Sequence, residues 1–161
     1  MAKSTIKNEL SEFDLEKIRR FTEKELAKFA DSELPFCYQI GSDVLVGQNK
    51  IVKINDKCWS VYVKDQHIFD FFSRKDAIFY CIAVHQNKLA LANEIKTNDD
   101  LVNKLEFEAA LYRHRYKTAN QKSDSWGAEY YSTKYQETIH KLTRVKKDLQ
   151  KSLNLAKYIK V

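Results

Sequence analysis

A chain of 161 residues that is 43% hydrophobic and 31% charged can bury a core, and general disorder is excluded. With three glycines and one proline it has no glycine-rich phosphate cradle, and no apolar run approaches the ~20 residues that span a bilayer. The formal charge of +6 is uneven: residues 1–98 carry 15 Lys and Arg against 14 Asp and Glu, whereas residues 99–161 carry 13 against 8.

Residues 5–30 read as an amphipathic helix, with Leu10, Leu15, Ile18, Phe21, Leu26 and Phe29 recurring near the helical period. Early acids (Glu9, Glu12, Asp14, Glu16) suit the positive end of a helix dipole, and Pro35 closes the segment. Residues 36–72 change character. Turn signals at Gly41-Ser42, Gly47 to Asn49, Asn55-Asp56 and Asp65-Gln66 separate short β-rich runs, and Trp59, Val61 and Val63 alternate with more polar neighbours. Loops this short favour antiparallel neighbours, so the spacing predicts a β-meander of four or five strands.

Ser73 is a good N-cap for a helix over 74–93, whose stripe of Ala77, Ile78, Cys81, Ile82 and Leu89 would cover the open face of the meander. Thr97 to Asp99 offers a further cap, followed by a helix over 99–122 with Leu101, Leu105, Ala109, Tyr112, Tyr116 and Ala119 on one face. After an interruption at Ser123 to Gly127, the pattern resumes over 126–160 in steps of three and four: Tyr131, Tyr135, Ile139, Leu142, Val145, Leu149, Leu153, Ala156, Ile159. These two helices should fold back about Asp124 as a hairpin. The expected class is therefore α+β: an N-terminal helix, an antiparallel β-meander covered by a helix, and a long C-terminal antiparallel helical hairpin. The expected domains are 1–96 and 97–161. With the first hairpin helix beginning at 99, residues beyond Leu149 overhang it, and Leu153, Ala156 and Ile159 need cover from elsewhere in the chain or from a neighbour.

Few constellations carry chemistry. Cys37, Cys58 and Cys81 form no CxxC pair and read as reduced, buried thiols. Cys81 and His85 are spaced for one helix face, and Cys58 with His67 could meet across a hairpin. Neither pattern is anchored by a second close pair or an activating group. No motif implies a cofactor, a metal or a small-molecule substrate, and the expectation is a protein that is not an enzyme. What stands out is charge. Tyr112-Arg113-His114-Arg115-Tyr116-Lys117 interleaves cations with aromatics, and in the last segment, from residue 141 onward, Lys141, Arg144, Lys146, Lys147, Lys151, Lys157 and Lys160 face one acid, Asp148. A helix dipole alone does not call for so many cations, so an acidic partner is expected. Residues 1–10 lack the apolar segment of a secretion signal, which leads to the expectation of a cytoplasmic protein.

The run Tyr112-Arg113-His114-Arg115-Tyr116-Lys117-Thr118-Ala119, through Asn154-Leu155-Ala156-Lys157-Tyr158-Ile159, resembles small uncharacterised proteins of contractile-tailed phages of marine cyanobacteria. The resemblance covers the region from about Lys50 onward, and a composition rich in Lys, Asn, Ile and Tyr is compatible with an AT-rich viral genome. It implies a virion or assembly protein, located in the host cytoplasm and the particle, and assigns no residue a role.

The leading expectation is a structural or interaction protein that docks through its basic hairpin on a protein partner or on a second copy. Tyr131, Tyr135, Leu142, Leu149, Leu153 and Ile159 would form the docking seam, and Lys146, Lys147, Lys151 and Lys157 would steer an acidic partner. The alternative is a nucleic-acid-binding accessory protein with Arg113, Arg115, Arg144, Lys146 and Lys147 on phosphate. No membrane partner is expected.

Overall fold

A computed structural model of the chain describes residues 15–157. They hold six strands, β1 (Arg19–Phe21), β2 (Cys37–Ile40), β3 (Asp43–Val46), β4 (Asn49–Asn55), β5 (Cys58–Val63) and β6 (Gln66–Phe71). They also hold four α-helices, α1 (Glu23–Leu26), α2 (Arg74–His85), α3 (Leu89–Gln121) and α4 (Ser125–Lys157). Two compact units result. One takes in the described chain up to Lys96 together with the chain from Lys151, and the other is Thr97–Gln150.

In the first unit, β2 to β6 form an antiparallel meander in sequence order. Each hairpin loop has two residues, as the turn chemistry requires. Lys64 and Asp65 both take positive φ (50° and 65°), the conformation whose twist matches flanking strands. Gly41 and Gly47 supply φ of +58° and +59° to the first two turns. Register then sets the core. Val44 lies opposite Ile51, and Ile51 opposite Val61, so one row of fully buried aliphatics crosses the sheet. Helix α2 lies across β3, β4, β5 and β6 and buries every residue from Asp76 to Ala83. Each large side chain sealed in this way, such as Ile78, Ile82 or Phe71, stabilises the fold by ~1.5–3 kcal/mol.

The sixth strand is new. Within the helix expected over 5–30, residues 15–30 form a 3-10 turn (Leu15–Lys17), β1 and the single-turn α1, while residues 5–14 lie outside the described residues. Phe21 accounts for the difference. It pairs in parallel with Ile40 of β2, is 4% exposed, and meets Phe29 and Tyr38 edge-on, with ring centroids 5.6 Å apart in both cases. That cluster holds the backbone extended. Thr22 then caps α1 by accepting the Glu25 N–H at 3.1 Å.

The helix boundaries after the sheet also move. Ser73 caps α2 as expected, with Oγ 3.5 Å from the Asp76 N–H, but α2 stops at His85 rather than at 93. Asn87 adopts φ +60°, and the Lys88 N–H bonds to Ala83 O at 2.8 Å. The Asn87 N–H bonds to Val84 O at 3.0 Å, completing a Schellman ending. Helix α3 then starts at Leu89 and runs straight through Thr97 to Asp99, where a cap was expected. Ala92, Ile95 and Asp99 are all buried at helical spacing, so this stretch continues an inward stripe instead of turning.

The second unit is the hairpin of α3 and α4. Its turn lies where the sequence places it. Ser123 adopts φ +57°, and the Asp124 N–H bonds to Ala119 O at 2.9 Å, ending α3. The Asp124 carboxylate then accepts the Gly127 N–H at 2.9 Å, opening α4. Asp124 thus closes one helix and caps the next. Tyr112 stacks on Tyr131, with centroids 6.4 Å apart, and Lys146 pairs with Glu106 at 3.3 Å.

The early start of α3 removes the predicted overhang. Eight further residues of helix, 89–96, about 12 Å, belong to the same unit as the end of α4. Ser152 Oγ donates to Glu94 at 3.4 Å and Gln86 Nε2 to Ala156 O at 3.1 Å, both inside the first unit. Leu153 is 4% exposed and Ala156 fully buried. These side chains are covered by their own chain.

Candidate functional site

The predicted seam and the predicted cations part company. Leu142, Leu149 and Leu153 are buried, so they hold the helices in place and are not offered to a neighbour. Ile159 lies outside the described residues. Tyr131 and Tyr135 are half-buried. Of the cations, Arg113, Arg115, Arg144, Lys146 and Lys147 belong to the second unit, whereas Lys151 and Lys157 belong to the first. Lys146 is engaged with Glu106, and Arg144 lines a shallow recess with Lys104, Glu108 and Lys141. The expected basic stripe is therefore divided between the units and partly neutralised.

The distal half of the hairpin differs. Residues 112–136 carry five cations (Arg113, Arg115, Lys117, Lys122, Lys134) against Asp124 and Glu129, and Asp124 is committed to its cap. Six aromatics share the stretch: Tyr112, Tyr116, Trp126, Tyr130, Tyr131 and Tyr135. Helical spacing sorts them onto two flanks of the Tyr112–Tyr131 contact.

On one flank, Arg113 and Lys117 stand one turn apart on α3, facing Ser132, Tyr135 and Gln136 of α4. With Tyr116 they line an open groove of about 490 Å³ whose walls hold two cations, two phenols and no carboxylate. Such a groove accepts an anion that also takes hydrogen bonds. On the other flank, Trp126, Tyr130 and Lys134 follow one another at intervals of four. Trp126 is 74% exposed and Tyr130 43%. Their rings lie parallel, 9° apart, with centroids at 5.4 Å. The Lys134 ammonium lies 5.7 Å from the Tyr130 centroid, and the Arg115 guanidinium 5.8 Å from that of Tyr131.

Trp126, Tyr130 and Lys134 fall at intervals of four inside the helix expected over 126–160, but one position off the apolar seam that begins at Tyr131, so the apolar spacing passes over them. A usable signal was present. Asp124, with a residue three positions on that needs its N–H satisfied, begins a helix at Ser125 and so places Trp126, Tyr130 and Lys134 in one row.

The register of β5 and β6 sets His67 opposite Tyr62 rather than Cys58. Cys81 is fully buried and its thiol is pushed up by desolvation, away from the nucleophilic thiolate. Cys37 is likewise pushed up to about 12, chiefly by burial, although Arg74 opposes the shift. His85 stacks on Phe36, with centroids 5.6 Å apart. His67 Nε2 lies 2.7 Å from Asp70 Oδ1, and Ser60 donates to the same oxygen at 2.6 Å, so the serine and histidine share a carboxylate rather than forming a relay. Among the described residues, no three His, Cys, Asp or Glu side chains gather as a metal site, and no helix is long and apolar enough to cross a membrane. Comparison with protein-family models, with curated proteins and with solved structures yields no match.

Proposed function

We propose that this chain is a non-enzymatic binding protein that engages an anionic partner through the distal half of its helical hairpin, and that the partner is nucleic acid. One observation carries this reading: over residues 112–136 five cations are interleaved with six aromatics, of which Tyr116, Trp126 and Tyr130 are exposed, while Leu142 and Leu149 farther along α4 are buried. Lysine and arginine side chains release counterions from phosphate, and flat rings add contact that does not depend on charge.

Binding of the full chain to a labelled mixed-sequence oligonucleotide, followed by anisotropy against salt, tests the reading. Five engaged cations set a limiting log–log slope of about −3.5 for a single strand. A slope near zero, or no binding at low salt, sinks it.

A second reading keeps the hairpin as the contact element but makes the partner a protein. The chain is then a structural component of a viral particle or of its assembly, docking on an acidic protein face or a second copy. The resemblance to small phage proteins favours it, as do the exposed Lys147, Lys151 and Lys157 outside the distal hairpin. Salt-insensitive self-association, measured by light scattering, supports this alternative over the first.

A further inference from the structure

We infer that the Trp126–Tyr130 row is a base-stacking platform, which makes single-stranded nucleic acid, rather than duplex, the preferred ligand of the hairpin. This rests on the hairpin being the anion-binding element proposed above. Trp126 sits in the first turn of α4 and lies flat on Tyr130, 9° from parallel, yet remains 74% exposed. One face of the indole is therefore used by Tyr130, and the opposite face is available. Tyr130 is fixed in turn by an edge-on contact with Tyr131, with centroids 5.2 Å apart, and Tyr131 stacks on Tyr112. The exposed ring is thus the outermost member of an aromatic series anchored between the two helices, so little rotamer freedom remains to be lost when a base adds to it.

The cations are placed for a strand rather than for an isolated anion. Lys134 lies over Tyr130, one turn from that ring, and Arg115 lies over Tyr131 beside it. Phosphates on either side of a stacked base can reach both. Lys134 also forms an ion pair with Glu137 at 3.6 Å, but both partners are well exposed, and such a pair yields readily to a phosphate. Chemistry separates the possible ligands. In a duplex, every internal base already has both faces stacked, so it offers charge but no free ring. An acidic protein surface also offers charge without a base. A single strand presents phosphates and unstacked bases together, and it alone uses the flat indole as well as the cations.

The test uses the full chain with three probes: an oligothymidylate of about twenty nucleotides, a mixed-sequence duplex of the same length, and polyglutamate. Trp59 is buried, so the solvent-exposed indole emission comes from Trp126. The oligothymidylate should quench that emission, and the Trp126→Phe variant should lose the signal while binding within about threefold of the parent. Trp126→Ala and Tyr130→Ala should each weaken single-strand binding roughly 5- to 150-fold, with duplex binding changed by less than about threefold. Arg115→Ala and Lys134→Ala should each reduce the salt slope by about 0.7. Undiminished single-strand binding by Trp126→Ala overturns the inference, as does quenching by polyglutamate equal to that by the oligonucleotide. Salt-sensitive duplex binding with Trp126 unquenched overturns this inference alone and leaves the anion-binding hairpin standing. Failure of both oligonucleotides to bind overturns both.

Discussion

Replacing Gly47 by alanine should destabilise the chain by about 2–5 kcal/mol, and the structure divides that cost into two parts. The first is conformational. Gly47 holds φ at +59°, and an L side chain in this left-handed region costs ~1–2 kcal/mol. The second is steric. A Cβ at position 47 would stand 2.6 Å from His85 Nδ1 and 3.2 Å from Cε1, so the imidazole must shift by about 1 Å or swing away, weakening its stack on Phe36. Overpacking of this kind adds ~1–3 kcal/mol. Gly41 is the control, because it has nearly the same φ, +58°, and nothing within 4 Å of its would-be Cβ. Gly41→Ala should therefore cost only the conformational part. Urea unfolding followed by far-UV circular dichroism, with matched slopes, measures both variants. His85→Ala introduced into the Gly47→Ala background should recover the steric part as a coupling of ~1–3 kcal/mol. If Gly47→Ala falls within about 0.5 kcal/mol of Gly41→Ala, the close approach of the β3–β4 turn to α2 is not what the geometry says.

Leu153→Ala should cost ~2–4 kcal/mol of stability, as for a buried leucine, and leave the molecular mass by light scattering unchanged. A loss of self-association with stability intact would instead restore the docking seam. Under native conditions a thiol reagent should modify Cys58, which is only partly covered, well before Cys37 and Cys81, whose thiols are raised by burial. Equal rates at all three, measured by mass spectrometry, would contradict the packing of α2. Asp70 is held below the usual carboxylate range by the hydrogen bond from Ser60 and then by that from His67. Its contribution is present above the ordinary value of roughly 4 and is lost as the pH falls through the lowered one. Asp70→Asn should flatten that acid limb of the urea midpoint, by a small amount because the carboxylate is half exposed.

The parts of this fold that were legible in the sequence are those built from local pairings. Strands β2 and β3 alternate strictly between buried and partly covered positions, and β4 begins in the same way, with Gly41 and Gly47 supplying the positive φ of the turns between them. The turn at Asp124 was legible for the same reason. Strand β1 was not. Its one apolar residue, Phe21, continues the helical spacing of Leu15 and Ile18, and only the parallel partner, from Tyr38 to Ile40 well along the chain, decides against it. Asn87 and Thr97 to Asp99 look alike as punctuation, yet Asn87 takes the left-handed conformation and Asp99 is drawn inside. Nothing local distinguishes them. That single misplacement turned a buried ridge into a docking seam. In the candidate site, the interleaved run at Tyr112 to Lys117 was visible, whereas the row through Trp126 lies off the apolar seam, and nothing in the spacing marks its rings as exposed.

The membership of Leu153 and Ala156 in the sheet unit bears on how the protein is made. During synthesis at ~5–20 residues per second, residues 97–157 take about 3–12 s to follow Lys96 out of the ribosome. Until then the surface that meets Leu153 and Ala156 is bare, although the meander and α2 have every local contact they need. A nascent intermediate of this kind invites a chaperone. A fusion or truncation that holds back the stretch from Lys151 should arrest the sheet unit in that unfinished state, however well its strands have paired.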